Sequence, residues 1–256
     1  LPKKELGDAI RWEAKKLIPL PIEEVILNWE LLSEAPPGMG GSAATASVAK
    51  TTGDVTPTTA GVVSEKDKKH VVVLITAAEK KLVERYVAIF KAAGLALQSL
   101  ETEAFALVRS LVGNDKSTTL IVDVGARNTD ISLIDGGIPV LNRSMQFGGA
   151  MLTDAIARVA KLPLRVAEQV KRDGARGVGL QSFASLTPAL APLVNELQYT
   201  LSLTHARSHG QVTKMILTGG SGFLGNLASF LSDRFNMTAT VGDPWARVAT
   251  PLDLQP

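Results

Sequence analysis

Between Lys3 and Leu17, Leu6, Ile10, Ala14 and Leu17 recur at helical spacing in an otherwise charged segment, and Pro19 and Pro21 follow as stop signals. The spacing predicts an amphipathic helix. EEVILNWELL then reads as a strand, after which the apolar pattern disappears. From Pro36 to Lys69 there is no Leu, Ile or aromatic residue, and 22 of the 34 residues are Gly, Pro, Ala, Ser or Thr. Such a stretch buries too little to offset the entropy of ordering it, so a long mobile loop is expected over 36–69.

Order returns with the strand-like HVVVLITA. Thr76 and Glu79 follow at capping-box spacing, ahead of a helix whose expected inner face carries Leu82, Val83, Tyr86, Phe90 and Ala93. Gly94 suits the C-terminal cap of that helix. LALQSLE reads as a further strand and TEAFALVRSLV as a further helix. The first part is therefore a small α+β unit.

STTLIVDVGARNTDISLIDGGIPVLNRSM contains three apolar runs separated by GARN and DGG. Both breaks have tight-turn chemistry, which predicts an antiparallel meander. Helices are expected from Gly149 to Lys161, from Pro163 to about Asp173 and from about Ser185 to His209, then the strand VTKMILTG, a glycine-rich turn, a last helix and a last strand. The fold class read from this order is α/β.

Composition narrows the function classes. Of the 256 residues, 45% are apolar and 20% charged, a globular balance with ample material for a core. A net charge of +2 without a dense basic run argues against nucleic acid as a partner. There is no cysteine, hence no disulfide framework, thiolate metal site or cysteine nucleophile. The longest apolar run, VVVLITAA, is far short of the ~20 residues that span a bilayer. The chain opens on Leu1 and stops at LDLQP, which suggests a piece of a longer protein.

Four segments carry candidate chemistry. In DVGARNTD a strand delivers Asp123, Gly125 permits a sharp turn, and the following amides can converge on an anion. Asp123 there is suited to orient magnesium-bound waters, and an ordinary polar hairpin turn is the competing reading. In FGGAMLTDAIA, Gly148 and Gly149 precede a helix whose free amides can face phosphates, although a packing turn also explains two glycines. Glu168 and Lys171, three apart, read as a surface ion pair or as two groups bracketing a ribose and a purine edge. LTGGSGFLGN matches G-x-G-x-x-G at Gly220, Gly222 and Gly225, with Asp243 near the place of a ribose-binding carboxylate. His205 and His209 share a helix face, but no third ligand or H-E-x-x-H accompanies them.

Taken in order, DVGARNTD, the GG-helix, E-x-x-K and LTGGSG resemble the second half of the actin/Hsp70/sugar-kinase superfamily of ATPases, an actin-like (ribonuclease H-like) fold. GDAIRWEAKKLIPLPIEEVILNWELL, AAEKKLVERYVAIFKAAGL, ETEAFALVRSL and VGDPWARV resemble more narrowly the PilM family, FtsA-like cytoplasmic proteins of type IV pilus machines. The resemblance implies an FtsA-type inserted α+β subdomain over 1–97, the remainder of an incomplete first lobe over 98–117, and most of a second lobe over 118–256. It implies ATP and Mg²⁺ as cofactors. Asp123, Gly125, Ala126, Arg127, Asn128 and Thr129 would meet phosphates and metal, and Gly148 and Gly149 would face the same phosphates. Glu168, Lys171, Gly219, Gly220 and Ser221 would meet the adenosine.

By the same resemblance the partners are the cytoplasmic tail of PilN and other proteins of the pilus inner-membrane platform, with self-association left open. The location is the cytoplasmic side of the inner membrane, reached through protein partners. The first phosphate loop, a D-x-G-x-[ST] turn, would precede Leu1. The function read from this is a nucleotide-dependent switch in partner binding with at most slow ATP hydrolysis. A nucleotide-independent scaffold, an FtsA-like division protein and a dinucleotide-binding oxidoreductase are the alternatives.

Overall fold

A computed structural model of the chain describes residues 3–34, 71–175, 183–206 and 211–248. The expected loop over 36–69 and His209 lie outside the described residues. The chain divides into two units, Leu1–Glu101 and Thr102–Pro256.

In the first unit α1 (Lys3–Leu17) buries Ile10 and Ala14, two members of its apolar stripe. β1 (Val25–Glu34) pairs antiparallel with β2 (Val71–Glu79), and α2 (Lys80–Ala92) follows, ending at Gly94 with φ +68°. Three expectations change here. Thr76 and Glu79 do not form a capping box, because β2 continues to Glu79 and both residues are ladder partners, of Asn28 and Val25. The helix has no buried residue, and Leu82 and Tyr86 of its expected inner face are 39% and 44% exposed. LALQSLE forms no strand; Leu95 and Leu100 are exposed and no ladder takes them.

The second unit opens with α3 (Glu103–Leu107), which runs into a π-helical turn at Val108–Val112. The predicted meander follows as β3 (Thr119–Val124), β4 (Thr129–Asp135) and β5 (Ile138–Met145). Then come α4 (Gly149–Ala160), α5 (Leu164–Ala175), α6 (Thr187–Ala206), β6 (Lys214–Thr218), α7 (Leu227–Phe235) and β7 (Thr238–Val241). The five strands make one mixed sheet in the order β5-β4-β3-β6-β7, with β3, β6 and β7 parallel and the meander antiparallel.

Strand alternation sorts the two faces of this sheet. Leu120, Val122 and Val124, with Ile131, Leu133, Met215 and Leu217, pack into the main core with Phe147, Leu152, Leu190, Leu193, Leu197 and Leu231. Each such side chain, fully buried, stabilises the fold by roughly 1.5–3 kcal/mol. The opposite face presents Ile121, Ile134 and Ile216 to Val108, Leu111 and Val112. Asp123 has the parity of Ile121, and so emerges on the side of the sheet that α3 covers.

Candidate phosphate and adenosine site

The C-terminal end of β3 and the start of β4 are joined by a four-residue turn, closed by the Gly125 amide donating to the Asn128 carbonyl at 3.0 Å. A Cβ on Gly125 would come within 2.9 Å of that carbonyl oxygen. Because Val124 and Thr129 are ladder partners, Asp123 and Asp130 are partners too and share a face. Glu103, the first residue of α3, reaches the same place and lines the hollow beside Asp123. Asp123, Gly125, Ala126, Arg127 and Asn128, with Glu103 and Asp130, line an open hollow of about 360 Å³.

The turn is braced from behind by α4. The Gly149 amide donates to the Gly125 carbonyl at 2.9 Å and the Ala150 amide to the Ala126 carbonyl at 2.8 Å. A Cβ on Gly148 would lie 2.7 Å from the Ala126 carbonyl and from the Arg127 nitrogen. The two glycines thus permit close approach of helix and turn, and the Gly149 amide is engaged by the turn itself. Thr129 is fully buried, and its hydroxyl donates to the Phe147 carbonyl at 2.8 Å, so it holds the approach to α4 and does not line the hollow.

β6 lies parallel beside β3, with Asp123 opposite Thr218, so the loop that follows β6 opens next to the turn that follows β3. Gly219 has φ +77°, and a Cβ there would come within 2.2 Å of Asp123 Oδ1 and 2.6 Å of the Val124 carbonyl oxygen. The Ser221 amide donates to that same carbonyl at 2.9 Å, and the Ser221 hydroxyl to the Gly125 carbonyl at 3.3 Å. Gly220 has nothing within 4 Å of an added Cβ and so borders free space. Gly222 and Gly225 serve packing, against the Thr218 and Gly174 carbonyls at 2.2 and 2.4 Å from an added Cβ. Asp243 accepts the Trp245 amide at 2.9 Å, a turn residue. The mixed sheet, in which β3 pairs parallel with β6 and antiparallel with β4, takes the G-x-G-x-x-G spacing out of its dinucleotide-binding context.

Glu168 and Lys171 form the ion pair that their spacing allows, at 2.7 Å, with the lysine side chain only 12% exposed. Lys171 Nζ also donates to the Gly149 carbonyl at 2.9 Å and to the Thr153 hydroxyl at 2.8 Å, and that hydroxyl donates to Glu168 at 2.5 Å. Arg172 adds a second cation at 3.0 Å. Burial works to raise the Glu168 carboxyl, but hydrogen bonds from Lys171, Thr153 and Arg172 outweigh it and pull its pKa down to about 2. Lys171 thereby ties α5 to the start of α4, beside Ser221: a Cβ on Gly149 would touch both Ser221 Oγ and Lys171 Nζ.

All four glycine and carboxylate segments therefore converge on the end of β3. Sequence reasoning missed Glu103 and Asp130. Burial, then the hydrogen bond and charge of Asp123 and the charge of Asp130, raise the Glu103 carboxyl above its ordinary range. Among the described residues no three acidic or imidazole groups form a direct metal cage. The hollow fits a hard cation that keeps its waters, for which one or two carboxylates suffice.

A family model described as type IV pilus assembly protein PilM matches residues 59–254. A chain of a solved PilM-PilN type IV pilus biogenesis complex is similar over 99% of this chain, with 29% identity and a TM-score of 0.69, and this chain spans 66% of its length. MreB5 of Spiroplasma citri, solved bound to ADP, is similar over 65% of this chain and 62% of its own, at 18% identity and a TM-score of 0.50, which bears on fold alone. The fold is actin-like. No helix among the described residues is long and apolar enough to cross a membrane. The chain belongs to the PilM family of type IV pilus assembly proteins.

Proposed function

We propose that the chain is the greater part of an ATP-binding assembly protein of the type IV pilus inner-membrane platform, whose nucleotide state sets its grip on the cytoplasmic tail of PilN. The observation that carries this reading is the approach of Gly219 to Asp123, which puts a glycine loop with free space at Gly220 beside a strand that carries a carboxylate at its C-terminal end. The family match and the relative solved with PilN supply the partner by similarity. In this reading, 1–97 is the inserted subdomain, 98–117 the remainder of the first lobe and 118–256 the second lobe. The protein works in the cytoplasm and reaches the inner membrane through PilN.

Ala126, Arg127 and Asn128 present backbone amides to the phosphates, Gly125 lets the turn close behind them, and the Arg127 guanidinium, on a residue that lines the hollow, offsets phosphate charge. Asp123 holds Mg²⁺ through water, and the bound cation supplies neutralisation of phosphate charge that three carboxylates would otherwise repel. Gly219, Gly220 and Ser221 let the adenosine approach closely. Lys171 and Glu168 border it, already oriented by each other and by Thr153. Fast chemistry is not required, because a switch needs different partner affinities in two states and not rapid turnover.

The test is a titration of the full-length protein with a peptide of the PilN cytoplasmic tail, with and without Mg-ATP. The switch predicts affinities that differ several-fold and become equal in Asp123→Ala. Equal affinities in the wild type would leave a nucleotide-independent scaffold.

A further inference from the structure

VGDPWARV, at the end of the described chain, is joined to the site by a route that the nucleotide reading does not use. After β7, the Gly242 amide donates to the Leu217 carbonyl at 2.7 Å, and the turn that follows is closed by the Trp245 amide on Asp243 and the Val248 amide on the Trp245 carbonyl, both at 2.9 Å. This turn aims Arg247 at the C-terminal end of the α3 and π-helical segment. Its guanidinium donates to the Ser110 carbonyl at 2.6 Å and to the Val112 carbonyl at 3.0 Å, two of the groups that a helix end leaves without intrahelical donors. Gly113 makes room for it: φ there is +62°, and a Cβ would lie 2.4 Å from Arg247 Nε.

The helix so clamped is not uniform. Its C-terminal half is a π turn, closed by the Gly113 amide on the Val108 carbonyl at 2.8 Å. Such turns are rare, and frequently mark functional sites. At the other end of the same helix, Glu103 meets Asp123 in the hollow. One residue of α-helix corresponds to about 100° of rotation, so relaxation of the π turn toward α geometry would swing Glu103 by about that much relative to the clamped end.

We propose that Arg247 is a positioning residue for the nucleotide site: by holding the Ser110 and Val112 carbonyls it fixes the rotational setting of the Glu103–Val112 helix and keeps the Glu103 carboxylate beside Asp123. This rests on the nucleotide reading of the hollow. The contacts of Val108, Leu111 and Val112 with Ile121, Ile134 and Ile216 keep the helix on the sheet, and Arg247 sets which residue at its far end faces the strand. A simple helix cap would stabilise the fold without acting through Glu103.

The experiment is a Mg-ATP titration of the full-length protein as wild type, Arg247→Met, Glu103→Gln and the double variant. Arg247→Met is expected to change the affinity about three- to tenfold, and to make no further difference once Glu103 is Gln. Arg247→Lys keeps a charge without the fork, falls between wild type and Met, and carries the same cycle if the Met variant does not fold. A change of equal size in both backgrounds, or no change in either, overturns the proposal and leaves Arg247 as a cap. A wild type that takes up no Mg-ATP overturns the nucleotide reading and this inference together, whereas binding with an additive cycle overturns this inference alone.

Discussion

Gly219 stands so close to Asp123 that a Cβ on the glycine would come within 2.2 Å of the carboxylate oxygen Oδ1. The contact joins the loop after β6 to the end of β3, and its tightness makes the two neighbouring glycines behave differently. Gly219→Ala meets both the positive φ and the Asp123 and Val124 contacts, so it is expected to destabilise the protein by about 2–3 kcal/mol in urea unfolding. Gly220→Ala, with open space around it, is expected to change stability by less than about 0.5 kcal/mol while weakening ATP binding.

Lys171 should matter more than an ordinary helix-surface lysine. Replacing it with Met leaves Glu168, the Thr153 hydroxyl and the Gly149 carbonyl without their shared donor. A loss of about 1–3 kcal/mol is expected by thermal or urea unfolding. Combined with Glu168→Gln the effects should be clearly less than additive, since the charge that Lys171 neutralises is then gone.

Two carboxyls of the site should give opposite pH responses. Glu168 has a folded pKa of about 2, below its ordinary 4.5, so its stabilising share is complete above about pH 5 and is lost as pH falls toward 2. Glu168→Gln should flatten that part of the urea midpoint against pH. Glu103 is raised by burial and by Asp123 and Asp130, so its ionisation disfavours the folded state and costs stability as pH rises through the carboxylate range. Glu103→Gln should therefore stabilise the protein at pH 7, with a gain that shrinks in acid.

Thr200 is fully buried in α6, and its hydroxyl has no hydrogen-bond partner among the described residues. Thr200→Val keeps the shape and removes the unpaired group, and should stabilise the fold by about 1 kcal/mol in thermal unfolding.

The parts of the site that were legible in the sequence are those whose local chemistry dictates their geometry. Apolar runs broken by GARN and DGG can hardly form anything but the meander, and two glycines before a helix or after a strand mark close backbone approach. Glu103 and Asp130 were missed for a reason of register. Their proximity to Asp123 follows only when a four-residue turn pairs Val124 with Thr129, and when strand parity puts Asp123 on the face that α3 covers. The turn length was visible and would have paired Asp123 with Asp130; the covering helix was not assigned to a face. LALQSLE failed in the other direction, because a short leucine-rich run makes a strand only where a neighbouring strand accepts it. The Thr76 and Glu79 spacing lost to ladder pairing with β1, which takes both residues before the helix begins.

The most direct measurement is Mg-ATP binding by calorimetric titration of the full-length protein, wild type against Asp123→Ala. Saturable, Mg²⁺-dependent binding is expected in the wild type, weakened at least tenfold in a folded Asp123→Ala variant. Absence of binding in the wild type, or equal binding in the two proteins, would contradict the nucleotide reading.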